Sequence, residues 1–153
     1  PFLKFYTSPN QLTAAEKQDL ATVLTARYAK AMPAFFVDIV FHEIPEDSFF
    51  TGGKKTDGKF VRLSMEHIAV NLAQEGEKGE QMTKTFLGFV GEVLRERFEH
   101  RGWRYDLLLW EFNIVDSDKK YWRLQGFEMP PLDSEAIEVW KREQRGSEWK
   151  EAV

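Results

Sequence analysis

Twice along this chain a short run of β-forming residues leads into a long stretch of helical periodicity and then into another apolar run. Residues 2–7 (Phe2, Leu3, Lys4, Phe5, Tyr6, Thr7) read as a strand. Thr13 and Glu16 stand at capping-box spacing. They open a helix over 14–31, with Leu20, Val23, Leu24 and Tyr28 on one stripe. Arg27 falls at the edge of that stripe, where its stem can carry the charge to water. Pro33 ends the helix. Residues 35–44 are apolar on both alternating faces, as in a buried central strand. Residues 45–58 hold Pro45, Gly52, Gly53 and Gly58 and read as a loop.

The second unit repeats the order without repeating the sequence. It comprises a strand over 60–65, a helix over 79–100 and a strand over 105–112. Met82, Phe86, Phe89, Val90, Val93, Leu94 and Phe98 form the helical stripe, and Leu107, Leu108, Leu109 and Trp110 the middle of the last strand. A loop over 116–131 leads to a short helix over 134–145, anchored by Ile137 and Trp140, and the chain beyond Gly146 is expected to be mobile.

A strand, a crossover helix and a strand make a parallel, right-handed unit. Two such units predict an α+β fold, a four-stranded mixed sheet with both long helices on one face. The expected organisation is one domain over 1–153, with β-α-β units at 2–44 and 60–112 and a C-terminal extension over 113–153. The other sheet face is expected to carry large apolar residues, which either the tail or another subunit must cover. An aromatic content of 14% fits an extensive interface between subunits.

Composition removes several functions. The 153 residues include no cysteine, which excludes disulfide scaffolds, thiolate zinc sites and thiol catalysis. The three histidines have no metal-ligand spacing, so no metal is expected. The net charge of −4 is spread among both signs, with no basic stripe for nucleic acid. No apolar run approaches the roughly 20 residues that span a bilayer. The opening residues are too short and polar-flanked a stretch for a signal peptide. No Gly-rich phosphate loop or serine-nucleophile motif is present. The expectation is a soluble, cytoplasmic protein without membrane or nucleic-acid partners.

One residue carries chemistry by position. The chain begins at Pro1, and a free prolyl nitrogen opening an apolar strand is a secondary amine whose cationic form burial disfavours. It would serve as a general base near neutral pH. Trimming of a longer chain would also leave this start.

Pro1, the strand end from Tyr6 to Ser8, Leu12-Thr13 before the helix, the strand end from Phe41 to Pro45, Phe49, Phe50 and Gly52-Gly53 resemble the tautomerase superfamily. This superfamily is built on the fold of 4-oxalocrotonate tautomerase and macrophage migration inhibitory factor. The start and middle of the chain are most similar to its cis-3-chloroacrylic acid dehalogenase group. The resemblance spans roughly 1–125, and its motifs are specific up to Gly53. It implies a two-unit protomer, a homotrimer, no cofactor, and Pro1 as base or acid on a small acidic substrate.

The dehalogenase pattern is not reproduced around Pro1. Tyr28 stands where that pattern has a histidine, and Glu66 and Ala69 where it has two arginines, with Arg62 and His67 nearby. Leu109 or Trp110 replaces a strand tyrosine. Lys120, beside Tyr121, replaces the glutamate that would activate water.

Each remaining candidate has a structural alternative. Arg62 would bind a carboxylate, or pair with Glu66 or Asp38, or reach solvent. Arg123, among Tyr121, Trp122 and Leu124, would hold a substrate carboxylate or form an interface ion pair. By resemblance, this segment closes over the active site of the same or an adjacent subunit. Tyr28 would polarise a carbonyl beside Pro1 or pack in the core. Trp110 would line a pocket or the core, and His67 lies just beyond a strand end. The leading function is cofactor-free proton transfer by Pro1 on a 2-oxo or α,β-unsaturated acid. The alternatives are a non-catalytic oligomer that keeps the fold and a hydratase or dehalogenase.

Overall fold

The computed structural model describes residues 1–56, 58–104 and 108–151. β1 (Phe2–Thr7) is followed by α1 (Ala14–Tyr28) and β2 (Asp38–Glu43). A small hairpin of β3 (Phe50–Thr51) and β4 (Lys54–Lys55) leads to β5 (Phe60–His67), α2 (Gly76–His100), β6 (Leu109–Asp116) and α3 (Glu135–Glu143). The four long strands form one mixed sheet in the order β2-β1-β5-β6. β1 runs parallel to β2, β5 runs parallel to β6, and the two parallel pairs meet antiparallel along β1 and β5. This is the predicted α+β architecture, except that β2, read from sequence as a buried central strand, lies at an edge of the sheet.

Strand alternation sorts the side chains. Leu3 and Phe5 of β1 and Leu63 and Met65 of β5 are fully buried, in one cluster with Leu20 and Leu24 of α1 and Val90 and Leu94 of α2. Both long helices therefore cover the same face. Asp19–Arg97 and Glu16–Arg101 ion pairs tie the start of α1 to the end of α2, so the helices lie antiparallel. The Thr13–Glu16 capping box forms as the sequence predicts.

Several boundaries differ from the sequence reading, each for a local reason. α1 stops at Tyr28, whose carbonyl then accepts from Ala31 and Met32 in a closing turn. Residues 34–36 form a 3-10 turn instead of the start of β2, and this buries Phe36. The apolar run there packs the connection rather than the sheet. The loop over 45–58 contains the β3-β4 hairpin, turning through Gly52 and Gly53 at φ +59° and +78°. α2 begins at Gly76, earlier than predicted. The fourth strand is later, reaching Asp116. Tyr105 to Leu107, predicted to begin it, lie outside the described residues.

The opposite sheet face is mixed rather than the apolar layer expected, with Leu109 and Val115 of β6 exposed among polar groups. Lys4 bonds Glu66 at 2.5 Å, and Arg62 reaches Asn113 at 2.7 Å and Glu111 at 3.3 Å. Phe2 and Tyr6 are half-buried among these polar groups. The inward positions of β5 take the large apolar side chains, and the outward ones take Arg62, Ser64 and Glu66. Phe60, at the start of that outward row, stacks on Phe49 with ring centroids 4.0 Å apart.

Ser147 and Trp149, in the stretch expected to be mobile, are tied to the rest of the protein. Trp140 donates its indole N–H to the Ser147 carbonyl, and Trp149 donates to the Glu128 carbonyl at 2.8 Å. Ile137 and Trp140 of α3 are fully buried, and Trp140 meets Phe36 edge to face.

Candidate active site

A cavity of about 420 Å³ opens where the first residue, the end of α1, the end of β5 and the first turns of α2 converge. Pro1, Tyr28 and His67 line it, together with Ala69 and Phe86. The topology makes this meeting. β1 and β5 are antiparallel neighbours, with Phe2 opposite Glu66, so the start of one strand lies beside the end of the other. The Asp38 amide donates to the Pro1 carbonyl at 3.0 Å and pins the first residue to β2.

The connection after β5 is held from the far side. Asp116 accepts from the Ala73 amide at 3.0 Å, and Asn71 donates to the Ser117 carbonyl at 2.7 Å. Gly79 is required where α2 meets this connection. A Cβ there would sit 1.9 Å from the Leu72 carbonyl oxygen, far inside van der Waals contact.

Burial shapes the electrostatics. As an α-amine, the Pro1 nitrogen is lowered from 8.0 to about 6 by desolvation, against the opposing pull of Asp38 and Glu66. It is therefore mostly unprotonated at pH 7. Burial also lowers His67, to about 4, and the positive charge of the Pro1 ammonium adds to this. The Tyr28 phenol is raised by burial, so it stays protonated. Tyr28 Oη and His67 Nε2 lie 2.7 Å apart, and Phe86 packs edge-on to His67 and tilted against Tyr28. When Nε2 carries the imidazole proton, it donates to the phenol oxygen and leaves the phenol proton free for a ligand.

The His67 shift has a consequence for stability. Its pKa is lower in the folded chain than the ~6.5 of an exposed imidazole, so below pH ~6.5 the unfolded chain takes up a proton that the folded one refuses. The contribution of His67 to stability is full above that pH and is lost as pH falls toward 4. Urea unfolding at pH 7 and pH 4.5 should show the His67→Phe variant losing less stability than the parent, by about 2 kcal/mol. Equal losses would mean that His67 is protonated in the folded chain.

The sequence-predicted residues divide into two groups. Pro1, Tyr28 and His67 come together. The other four lie elsewhere in the protomer. Arg62 is on the opposite sheet face, bonded to Asn113 and the Leu63 carbonyl. Trp110 packs in the core layer against Phe98 and Phe112. Tyr121 is 81% exposed. Arg123 is exposed, bonded to Glu128 at 2.5 Å and to the carbonyls of Lys120 and Trp122.

Two cations on this cavity were not singled out as ligands from sequence, namely Arg27 and Lys78. The guanidinium of Arg27 lies 5.7 Å from the ring centres of both Phe86 and Phe89. Among the described residues no carboxylate pairs with either cation. The signal for Arg27 was its place on the helix beside Tyr28, at the edge of an otherwise apolar stripe. Ala69 also lines the cavity, Glu66 is held by Lys4 on the other sheet face, and Lys120 pairs with Asp118 at 3.0 Å. Among the described residues no group of three or more His, Asp or Glu side chains gathers as a metal site.

A family model described as "Putative oxalocrotonate tautomerase enzyme" matches residues 1–145. The chain belongs to this tautomerase family. A solved structure of a probable enzyme from the thermophilic fungus Aspergillus fumigatus is 30% identical to it. Coverage is 96% of each chain, with a TM-score of 0.80. Native RhCC from Rhodococcus jostii RHA1 is 26% identical over 97% of this tautomerase-family chain and 100% of its own, with a TM-score of 0.81. A member of the cis-3-chloroacrylic acid dehalogenase family shares the fold, with a TM-score of 0.62 at 13% identity over 92% of this chain and 90% of that one. No curated protein matches the chain.

Proposed function

We propose that this tautomerase-family chain is a cofactor-independent proton-transfer enzyme in which the Pro1 nitrogen is the general base. Its substrate class is a 2-oxo acid or its enol, or an α,β-unsaturated acid. The observation that carries this reading is the buried Pro1 nitrogen on the wall of an apolar cavity beside Tyr28 and His67, where desolvation lowers an α-amine to about 6. A base tuned near the working pH is both available and strong enough to act.

In ketonisation, the Pro1 nitrogen takes the proton of the enol hydroxyl and the electron pair moves toward the neighbouring carbon. The resulting prolinium then returns the proton to that carbon. Arg27 holds the substrate carboxylate, its guanidinium dehydrated on one side by Phe86 and Phe89. The Tyr28 hydroxyl, oriented by neutral His67, donates to the oxygen on which negative charge develops. Water addition, the dehalogenase-type alternative, lacks support from Ala69 and Lys120. Neither is a carboxylate or a guanidinium.

Mass spectrometry of the native protein should show Pro1 with a free nitrogen. Alkylation of that nitrogen should rise with pH through a midpoint near 6, because only the unprotonated amine reacts. A midpoint near the ordinary 8.0 would remove the general base. We also take the working assembly to be a homotrimer, with the polar sheet face of Lys4, Arg62 and Glu66 turned toward neighbouring copies. Sedimentation equilibrium should return three times the protomer mass of 17.9 kDa, and a monomer at micromolar concentration would reject it.

A further inference from the structure

The cavity around Pro1 is larger and greasier than a three-carbon acid requires. Away from Pro1, Tyr28 and His67, its wall is mostly apolar, with Met32, Ile68, Val70, Leu72, Met82 and Phe86, and the exposed Gln81 and Thr85, bonded to each other at 3.4 Å, also line it. Its two cations differ in setting. Arg27 is half-buried against two aromatic rings, whereas Lys78 is exposed in the first turn of α2. Only Arg27 is placed to hold a partly dehydrated carboxylate. A second carboxylate set against the thioether, aliphatic and phenyl part of the wall would lose its water there, which is costly without a partner. An alkyl or aryl tail would instead gain from that wall.

Resting on the proposed proton transfer at Pro1, we infer that the substrate is a monocarboxylic 2-oxo or α,β-unsaturated acid carrying an extended apolar tail. Arg27 grips its head, and the surface from Ile68 to Leu72, with Met32, Met82 and Phe86, sheathes its tail. The two methionines suit this role, because an unbranched thioether adjusts to tails of differing shape.

Isothermal titration calorimetry reads the tail without relying on Pro1 reactivity. The series is pyruvate, 2-oxobutanoate, 2-oxohexanoate and 2-oxooctanoate, with 2-oxopentanedioate as the diacid. Affinity should rise about threefold to fourfold per added methylene until the cavity is filled. The diacid should bind more weakly than 2-oxohexanoate. Met82→Asp, at a helix position that is 44% exposed and can carry a charge, should weaken 2-oxooctanoate at least tenfold and leave pyruvate little changed. Arg27→Met should weaken every acid in the series by a similar factor.

Affinity independent of length, or a diacid that binds best, would overturn the tail. The Pro1 alkylation midpoint would stay near 6 in either case, so this failure is distinct from failure of the base. Conversely, a midpoint near 8 together with length-dependent binding would leave an apolar-acid binding site without the proposed catalysis. Loss of length dependence in Met82→Asp with unchanged secondary structure by circular dichroism separates the contact from misfolding.

Discussion

Tying the Pro1 nitrogen into an amide, by retaining one residue ahead of it, should lower kcat/KM for enol ketonisation by about 10²–10⁴-fold. That is the usual contribution of a positioned general base. An amide nitrogen has no basic lone pair, so the substitution removes the chemistry while keeping the ring. The added residue also enters the cavity, so substrate binding must be measured beside the rate. If binding persists and the rate collapses, the nitrogen is the base. A rate within a few-fold of the parent would pass the role to another group. His67 would then be the first to consider, although a pKa of about 4 makes it a weak base. The parent rate should rise with pH through about 6, since the active form is the neutral amine.

The second large effect is structural. Trp140→Ala should destabilise the fold by about 3–5 kcal/mol, the range for removing a large buried aromatic. Trp140 is 0% exposed, packs against Phe36 at 6.0 Å between ring centres, and donates to the Ser147 carbonyl at 3.1 Å. Phe36 in turn meets Trp122 edge to face, so α3 and the segment before it close over the turn that follows α1. Met32, in the chain between α1 and that turn, also lines the Pro1 cavity. Loss of α3 would therefore loosen one wall of the site. Denaturant unfolding followed by circular dichroism checks this, and Trp140→Phe should recover most of the loss. A change below about 1 kcal/mol would make α3 a detachable tail rather than part of the core.

Local signals were legible where the physics is local. The β-forming residues 2–7, the Thr13–Glu16 box and the stripe from Phe86 to Phe98 each record a local backbone preference or the face that must leave water. Errors came where an apolar residue serves something other than its own element. Phe35 and Phe36 read as strand because the run over 35–44 is apolar on both alternating faces, yet they belong to a turn packed against Trp122 and Trp140. The sequence predicts a strand over 60–65, whereas β5 runs on through the polar Glu66 and His67. Their polarity reflects opposite destinations, Glu66 to Lys4 on one face and His67 to the cavity on the other.

The cations show the same limit from the electrostatic side. Arg62 and Arg123 are as basic in sequence as Arg27. In space the first meets Asn113 and Glu111, and the second meets Glu128. Arg27 meets only aromatic faces among the described residues. A spacing cannot say which guanidinium is already neutralised, because partners tens of residues away decide it.

The order of elements and the capped start of α1 were thus determined by the sequence alone, since each depends on neighbours within a few residues. The tertiary structure decided that the start of β1 lies beside the end of β5, that Tyr28 and His67 share a 2.7 Å contact near Pro1, and that Arg27 is the half-buried cation on that cavity. Those facts depend on antiparallel pairing across about 60 residues. They also depend on the removal of water by packing, and desolvation is a property of the packed volume rather than of any segment of chain.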